Sequence, residues 1–419
     1  MENKLVTRFL CVAFFIPFII NPKPPTLDIN TFRLLALSIV STISISYFFL
    51  SKELTSLFFE ALKSKISIAI LLFIVWGFLS FFYATNQNEV ILRGINFIVF
   101  YMCFLSLYVL VAYNKFTFIN ISIFFSIVVL VAMYYSYASY INITSVAPYN
   151  FEQNVYLKGL FSNRNVTAAV YMYSVPFLFY LYLNSKSLII KLLSIITSVA
   201  LLHMIFLLAA RTSYVIILIL TIAIALIAII DNQKINRDYL ITFIAVLGFT
   251  IFTSTWSLGT KNDAHAINRI NSIDFNEEST NTRLRYYRYG FDQILKNPLL
   301  GVGLGNWKIE SILKDKNNIV SYVIPYTMHN DFLEVGAELG LIGLIIYIIS
   351  FWIAILYLFN LYKTNKNRNY VLTLFLCILI YIIDANINFP FIRISQQLYL
   401  ASFFALALYF SNKKNENIN

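Results

Sequence analysis

One of the chain's three histidines, His329, stands at the front of MHNDFLEVGAELGLIGLIIYIIS (328–350), where a polar, acidic stretch runs directly into an apolar helix. An imidazole at such an edge can cap the helix or hydrogen-bond within the interface. Beside an anion site it can instead take the proton of an attacking hydroxyl, because its ordinary pKa lies near neutrality. Asn330 follows it, and Asp331, Glu334 and Glu338 share one helix face through their spacing of three and four. Asn330, Glu334 and Glu338 are expected on the substrate side. Gly340 and Gly343 permit a close helix approach, or a bend, immediately afterwards.

The complementary chemistry is cationic. Arg211, in LLAARTSYVI, falls where two apolar runs are joined by almost nothing, so it must lie at or just below a membrane surface. It can snorkel to headgroups or bond a helix-end carbonyl, or it can bind an anion. In TRLRYYRYGFDQILKNPLLGVGLGNW (282–307), Leu284, Tyr287, Phe291, Ile294 and Leu295 recur at helical spacing, and Asn297-Pro298 stops the pattern. This predicts an amphipathic helix lying on a membrane or over a cavity. Arg285 and Arg288 share a face of it, and Arg283 occupies its first turn, where backbone N–H groups also favour an anion.

Gly301, Gly303 and Gly305 predict a tight turn. No strand precedes them and their spacing is not that of a dinucleotide loop. In GLFSNRNVTA (159–168), Asn163 reads as a helix cap, while Arg164 and Asn165 can either cap or hold sugar hydroxyls or phosphate. His203, inside an apolar run, reads as a packed residue, and His265 as a loop residue.

What must position these groups is a membrane. The 419-residue chain is 59% hydrophobic and 12% charged, with a mean hydropathy of +0.73, too little polar surface to cover a soluble globule. The apolar runs do not alternate as barrel strands would. Twelve candidate spans follow by length: 9–20, 33–50, 66–83, 95–113, 117–140, 166–183, 188–209, 213–230, 239–257, 332–360, 370–388 and 397–411. The expectation is an all-α polytopic membrane protein. Transmembrane helices 1–9 occupy residues 1–257, a large loop with amphipathic helices 258–328, and transmembrane helices 10–12 residues 329–419. The first run lacks a small-residue cleavage site and meets Asn21-Pro-Lys-Pro-Pro, so it reads as a retained helix. The cysteines, Cys11, Cys103 and Cys377, all lie in apolar runs and suggest neither disulfides nor a metal site.

Alternate short connections carry Lys4, Arg8, Lys52, Lys63, Lys65, Lys115, Lys186, Lys191, Lys234, Arg237, Lys363, Lys366, Arg368, Lys413 and Lys414, which predicts cytoplasmic termini. Of these 15 cations, 12 are lysine. Of the 16 on the opposite face, nine are arginine: Arg33, Arg93, Arg164, Arg211, Arg269, Arg283, Arg285, Arg288 and Arg393. Lysine inside satisfies topology, whereas guanidinium forks outside suit paired phosphate oxygens. The same arginines can also contact headgroups or pair with loop carboxylates.

The layout resembles the O-antigen ligase and O-antigen polymerase superfamily of bacterial envelope glycosyltransferases. His329-Asn330 followed by Gly340 and Gly343 is similar to the ligase signature. The 282–307 stretch resembles the superfamily's loop motif, and GLFSNRNVTA a further segment, in which the family more often has proline where Arg164 stands. The resemblance implies an enzyme of the inner membrane, its site facing the periplasm. It would use a glycan carried on undecaprenyl pyrophosphate, without nucleotide sugar, cofactor or catalytic metal. The acceptor is the lipid A core in a ligase and a second lipid-linked glycan in a polymerase.

In that reading Arg211 and Arg283 stabilise the departing diphosphate. Arg285 or Arg288 helps them, Arg93, Arg164 and Asn165 add binding contacts, and His329 readies the acceptor hydroxyl. Its partners are the donor, the acceptor and membrane lipids, with no role for nucleic acid. A transporter of lipid-linked glycan is the alternative of another class. It would tend to carry charge at mid-membrane and repeated halves, whereas here the charges gather at one face.

Overall fold

The computed structural model describes residues 2–20, 28–230, 234–258, 278–319, 326–364 and 368–413, all built from helices and their connections. His265, Arg269, Lys366, Lys414 and residues 21–25 lie outside the described residues. Ten helices among those described are long and apolar enough to cross a membrane.

The order is α1 (Glu2–Ala13), α2 (Ile16–Ile19), α3 (Ile29–Phe48), α4 (Lys52–Lys63), α5 (Lys65–Leu79), α6 (Gln87–Asn114), α7 (Phe118–Thr144) and α8 (Arg164–Asn184). Then come α9 (Leu188–Leu208), α10 (Arg211–Ile230), α11 (Lys234–Leu258), α12 (Glu278–Lys296), α13 (Trp307–Asp315), α14 (Asp331–Thr364), α15 (Asn369–Ile387) and α16 (Ile394–Asn412). Two of the twelve expected runs therefore differ from a plain span. The first is broken at Phe14-Phe15, ahead of Pro17, into α1 and the single turn of α2. The last forms α16, whose opening residues Ser395, Gln396 and Gln397 are polar.

Apolar character alone does not say which helices face lipid. Beyond their polar first turns, α8 and α16 are largely apolar on every side and buried almost throughout, which is the arrangement expected of a helix with no polar face to turn outward. α16 packs along α6, α8 along α9, and α5 along α14. The outer helices instead expose single apolar stripes, such as Leu188, Ile189, Leu192 and Ile196 on α9. Not every buried cation serves a ligand. Arg33, 1% exposed, donates from Nε to the Pro17 carbonyl (3.2 Å) and from Nη2 to that of Leu160 (2.6 Å), between the rings of Phe18 and Phe161. It ties α2 and the segment before α8 to α3.

α14 is kinked. Gly340 has a φ of +67° inside the helix, and a Cβ there would collide with the Leu299 carbonyl. The glycine turn packs into this gap: Val302 N–H bonds Ala337 O (3.1 Å), Gly303 N–H bonds Glu338 O (2.8 Å), and Leu341 N–H bonds Pro298 O (2.7 Å). Trp76 Nε1 reaches the Leu339 carbonyl at 3.0 Å. Backbone groups freed by the kink thus find partners across the bundle, as buried amides must. Gly301, Gly303 and Gly305 all have positive φ, as the tight turn requires.

Candidate active site

α12 is amphipathic, and its inward face takes only part of the set its periodicity suggested, Ile294 and Tyr287. Tyr286 and Ile294 are buried with Trp307, Met328 and Ala337 in a small apolar cluster, while Leu284, Phe291 and Leu295 are exposed. Met328, fully buried, lies against Gly290, where a Cβ would strike its thioether. The residue before His329 is thereby plugged into α12.

The three carboxylates of the His329 stretch also serve as anchors. Asp331 accepts from the Phe391 N–H (2.8 Å), Glu334 from the Met328 N–H (2.8 Å) and Glu338 from the Trp307 N–H (3.1 Å). Each is 1% exposed, and the Arg93 guanidinium lies 3.9 Å from Glu334. Asn330 accepts from the Leu333 N–H and so caps α14. Asn163 caps α8 in the same way, Arg164 lies over the Phe151 ring, and Asn165 is half-buried in the first turn.

His329 itself has a φ of +61°, a left-handed conformation that costs a non-glycine residue about 1–3 kcal/mol. Tyr287 holds it there, donating its hydroxyl to the His329 carbonyl at 3.0 Å. The imidazole meets the Phe389 ring edge-on at 4.8 Å, and the Arg393 guanidinium lies 4.5 Å from that same ring. His329 Nδ1 and Arg393 Nε are buried without a hydrogen-bond partner among the described residues. Burial pushes the imidazole pKa from 6.5 down to about 4, helped by the positive charges of Arg283 and Arg393. The ring is neutral at physiological pH and one nitrogen is available to take a proton.

Arg283 donates from Nη1 to the Ile387 carbonyl at 3.2 Å. Burial lowers its pKa from the usual arginine value, and the charge of Arg211 adds to that lowering. Arg393 is lowered by burial and by Arg93. Both remain cations, since arginine stays protonated far above neutrality.

Arg211 is the first residue of α10, and only Ala209, with a φ of +47°, and Ala210 separate it from α9. Its neighbour Thr212 accepts from Asn388 Nδ2 (3.1 Å), which also bonds Asp384 (2.6 Å). Asp384 accepts in addition from Tyr173 (2.8 Å) and Gln396 (2.6 Å). This network fixes the start of α10 against the end of α15.

The structure therefore gathers Arg211, Arg283 and His329 around the connection 386–393, together with Arg393, which the sequence reading counted among the arginines without giving it a role. It also adds Asp384, Asn388 and Phe389. A signal for them existed: three polar residues, Asp384, Asn386 and Asn388, interrupt an otherwise apolar run, where polar groups are costly and tend to be functional.

Arg285 is turned elsewhere, in a two-pronged bond to Asp315 of α13 (2.7 and 3.2 Å), and Arg288 is exposed. His203, within α9, has Nδ1 3.2 Å from the Tyr137 hydroxyl.

Fold and site together define a multi-pass membrane protein with a neutral imidazole set among guanidinium groups at one end of its helices. Residues 196–348, from α9 into α14, match the family model described as O-antigen ligase, and that match supports placing the chain in the O-antigen ligase family. Among curated proteins none matches the chain.

Proposed function

We propose that the protein is an O-antigen ligase, a glycosyltransferase that moves a glycan from undecaprenyl pyrophosphate to a sugar of the lipid A core at the periplasmic face. The observation that carries this reading is the placing of His329, neutral and with Nδ1 unpartnered, within electrostatic reach of Arg283 and Arg393. Arg283 is in turn within reach of Arg211.

In the reaction an acceptor hydroxyl oxygen bonds to the anomeric carbon as the bond from that carbon to the pyrophosphate oxygen breaks, inverting the centre. The electron pair leaves on the pyrophosphate, whose growing charge Arg211, Arg283 and Arg393 offset. The hydroxyl proton passes to His329. Arg283 is held by the Ile387 carbonyl and His329 by Tyr287, so the two groups are positioned before substrate arrives.

The test uses purified protein with lipid-linked glycan, with and without lipid A core. A ligase joins glycan to core only when core is present. Extension of the lipid-linked glycan without core would identify a polymerase, and passage of the glycan across a bilayer with no transfer would overturn the enzyme reading.

A further inference from the structure

A cavity of about 560 Å³ opens at the far end of the bundle from the His329 cluster. α6 measures the separation. Its first turn adjoins the glycine turn, where Asn86 N–H bonds Asn306, and its other end, 28 residues on and about 42 Å away, reaches Lys115 at the cavity mouth. Arg8 of α1 and Asn120 of α7 complete the mouth, and among the described residues no carboxylate lines the cavity.

Below it the walls turn apolar, with Phe15, Leu107 and Phe124, and Ser402 and Ala405 of α16 line the inner side. On the N-terminal segment Arg8, Cys11, Val12 and Phe15 follow one another at helical spacing, cation outermost and ring innermost.

The mouth is fixed. Asn114 donates to Thr7 at 3.1 Å, clamping α1 to α6 beside both cations. Lys115 has a φ of +53°, a position where glycine would be unstrained, yet a long cationic side chain stands there. A slot with positive charge at its rim and hydrocarbon along its walls fits one kind of occupant.

We infer that this groove binds an anionic phospholipid, its phosphate between Arg8 and Lys115 and one acyl chain lying along Phe15, Leu107 and Ala405. Basic pockets between spanning helices are a recognised form of lipid-headgroup site. The site is separate from the His329 cluster and stands whether or not the glycosyltransferase reading does.

Native mass spectrometry on protein from nanodiscs of phosphatidylcholine with and without phosphatidylglycerol tests it, with lipid titration giving affinities. Wild type should retain phosphatidylglycerol in preference to phosphatidylcholine, and R8A/K115A should bind it roughly 30-fold more weakly, as expected for two cations at a phosphate. Ala405→Phe should lose the lipid with both charges in place. If Ala405→Phe does not fold, Val12→Trp at the rim, where Val12 is 44% exposed, fills the same slot.

Equal retention of phosphatidylcholine, or full retention of phosphatidylglycerol by R8A/K115A, overturns the proposal. So does loss in R8A/K115A with retention in the filled variant, because adsorption at the surface would then account for binding.

Discussion

His329 combines three properties at one residue: a left-handed backbone, a buried nitrogen without a partner, and a pKa held at about 4. As a base it must be neutral, so kcat/KM, which reports the free enzyme, should stay flat as pH falls and drop only near pH 4. With the diphosphate bound, negative charge offsets Arg283 and Arg393 and raises the pKa, so kcat should begin to fall at a higher pH than kcat/KM. Coincident acid limbs in the two profiles would remove His329 from the role of base.

His329→Ala should abolish transfer while donor binding, measured by titration of lipid-linked glycan, persists. Arg211→Lys should lose activity by at least about 10²-fold, since an ammonium cannot reproduce a planar two-point contact. Full activity in that variant would count against a phosphate role. These residues were legible in the sequence because charge is scarce in an apolar chain and each lies at the edge of a span. Arg393 was not, since nothing in its spacing reveals that Phe389 brings it to the imidazole.

At the scale of elements, α14 acts as a spine. Its three carboxylates bind the N–H groups of Phe391, Met328 and Trp307, fixing three separate connections to one helix. The spacing of Asp331, Glu334 and Glu338 was plain in the sequence, but their partners were not, because the bonds run to backbone groups brought close only by folding. The inward face of α12 was only partly legible for a related reason. Ile294 and Tyr287 of the periodic set turn toward Met328 and Trp307 together with Tyr286, whereas Leu284, Phe291 and Leu295 are left outside.

Gly340→Ala should lower Tm and activity together, because a Cβ meets the Leu299 carbonyl and the positive φ adds strain. Gly248→Ala, at a helical site with nothing near its Cβ, should be neutral or slightly stabilising, and a thermal melt of both variants separates the two outcomes. Arg285→Ala and Asp315→Ala should reduce activity to a similar modest extent, with a double-mutant cycle recovering their coupling. A far larger loss for Arg285→Ala would mean that it also reaches the diphosphate.

For the whole molecule, the all-helical, many-span architecture followed from composition and run length, while the count of ten clear spans among the described residues required the structure. The break at Phe14-Phe15, ahead of Pro17, shortens the first run, and Ser395, Gln396 and Gln397 lower the average hydropathy of the last. Guanidinium groups supply the positive charge at the proposed leaving group, so chelation with EDTA should leave transfer unchanged in a reconstituted assay. A clear loss would require a metal partner.

Arg211 opens a spanning helix just two residues after the preceding one ends, so its depth is set by the bilayer itself. Arg283 sits on α12, which adjoins the bundle without crossing it. Because Arg283 bonds Ile387, and Thr212, next to Arg211, bonds Asn388, both at the end of α15, a thinner or thicker hydrocarbon layer should shift the two cations together, and turnover in vesicles of graded acyl-chain length should vary little.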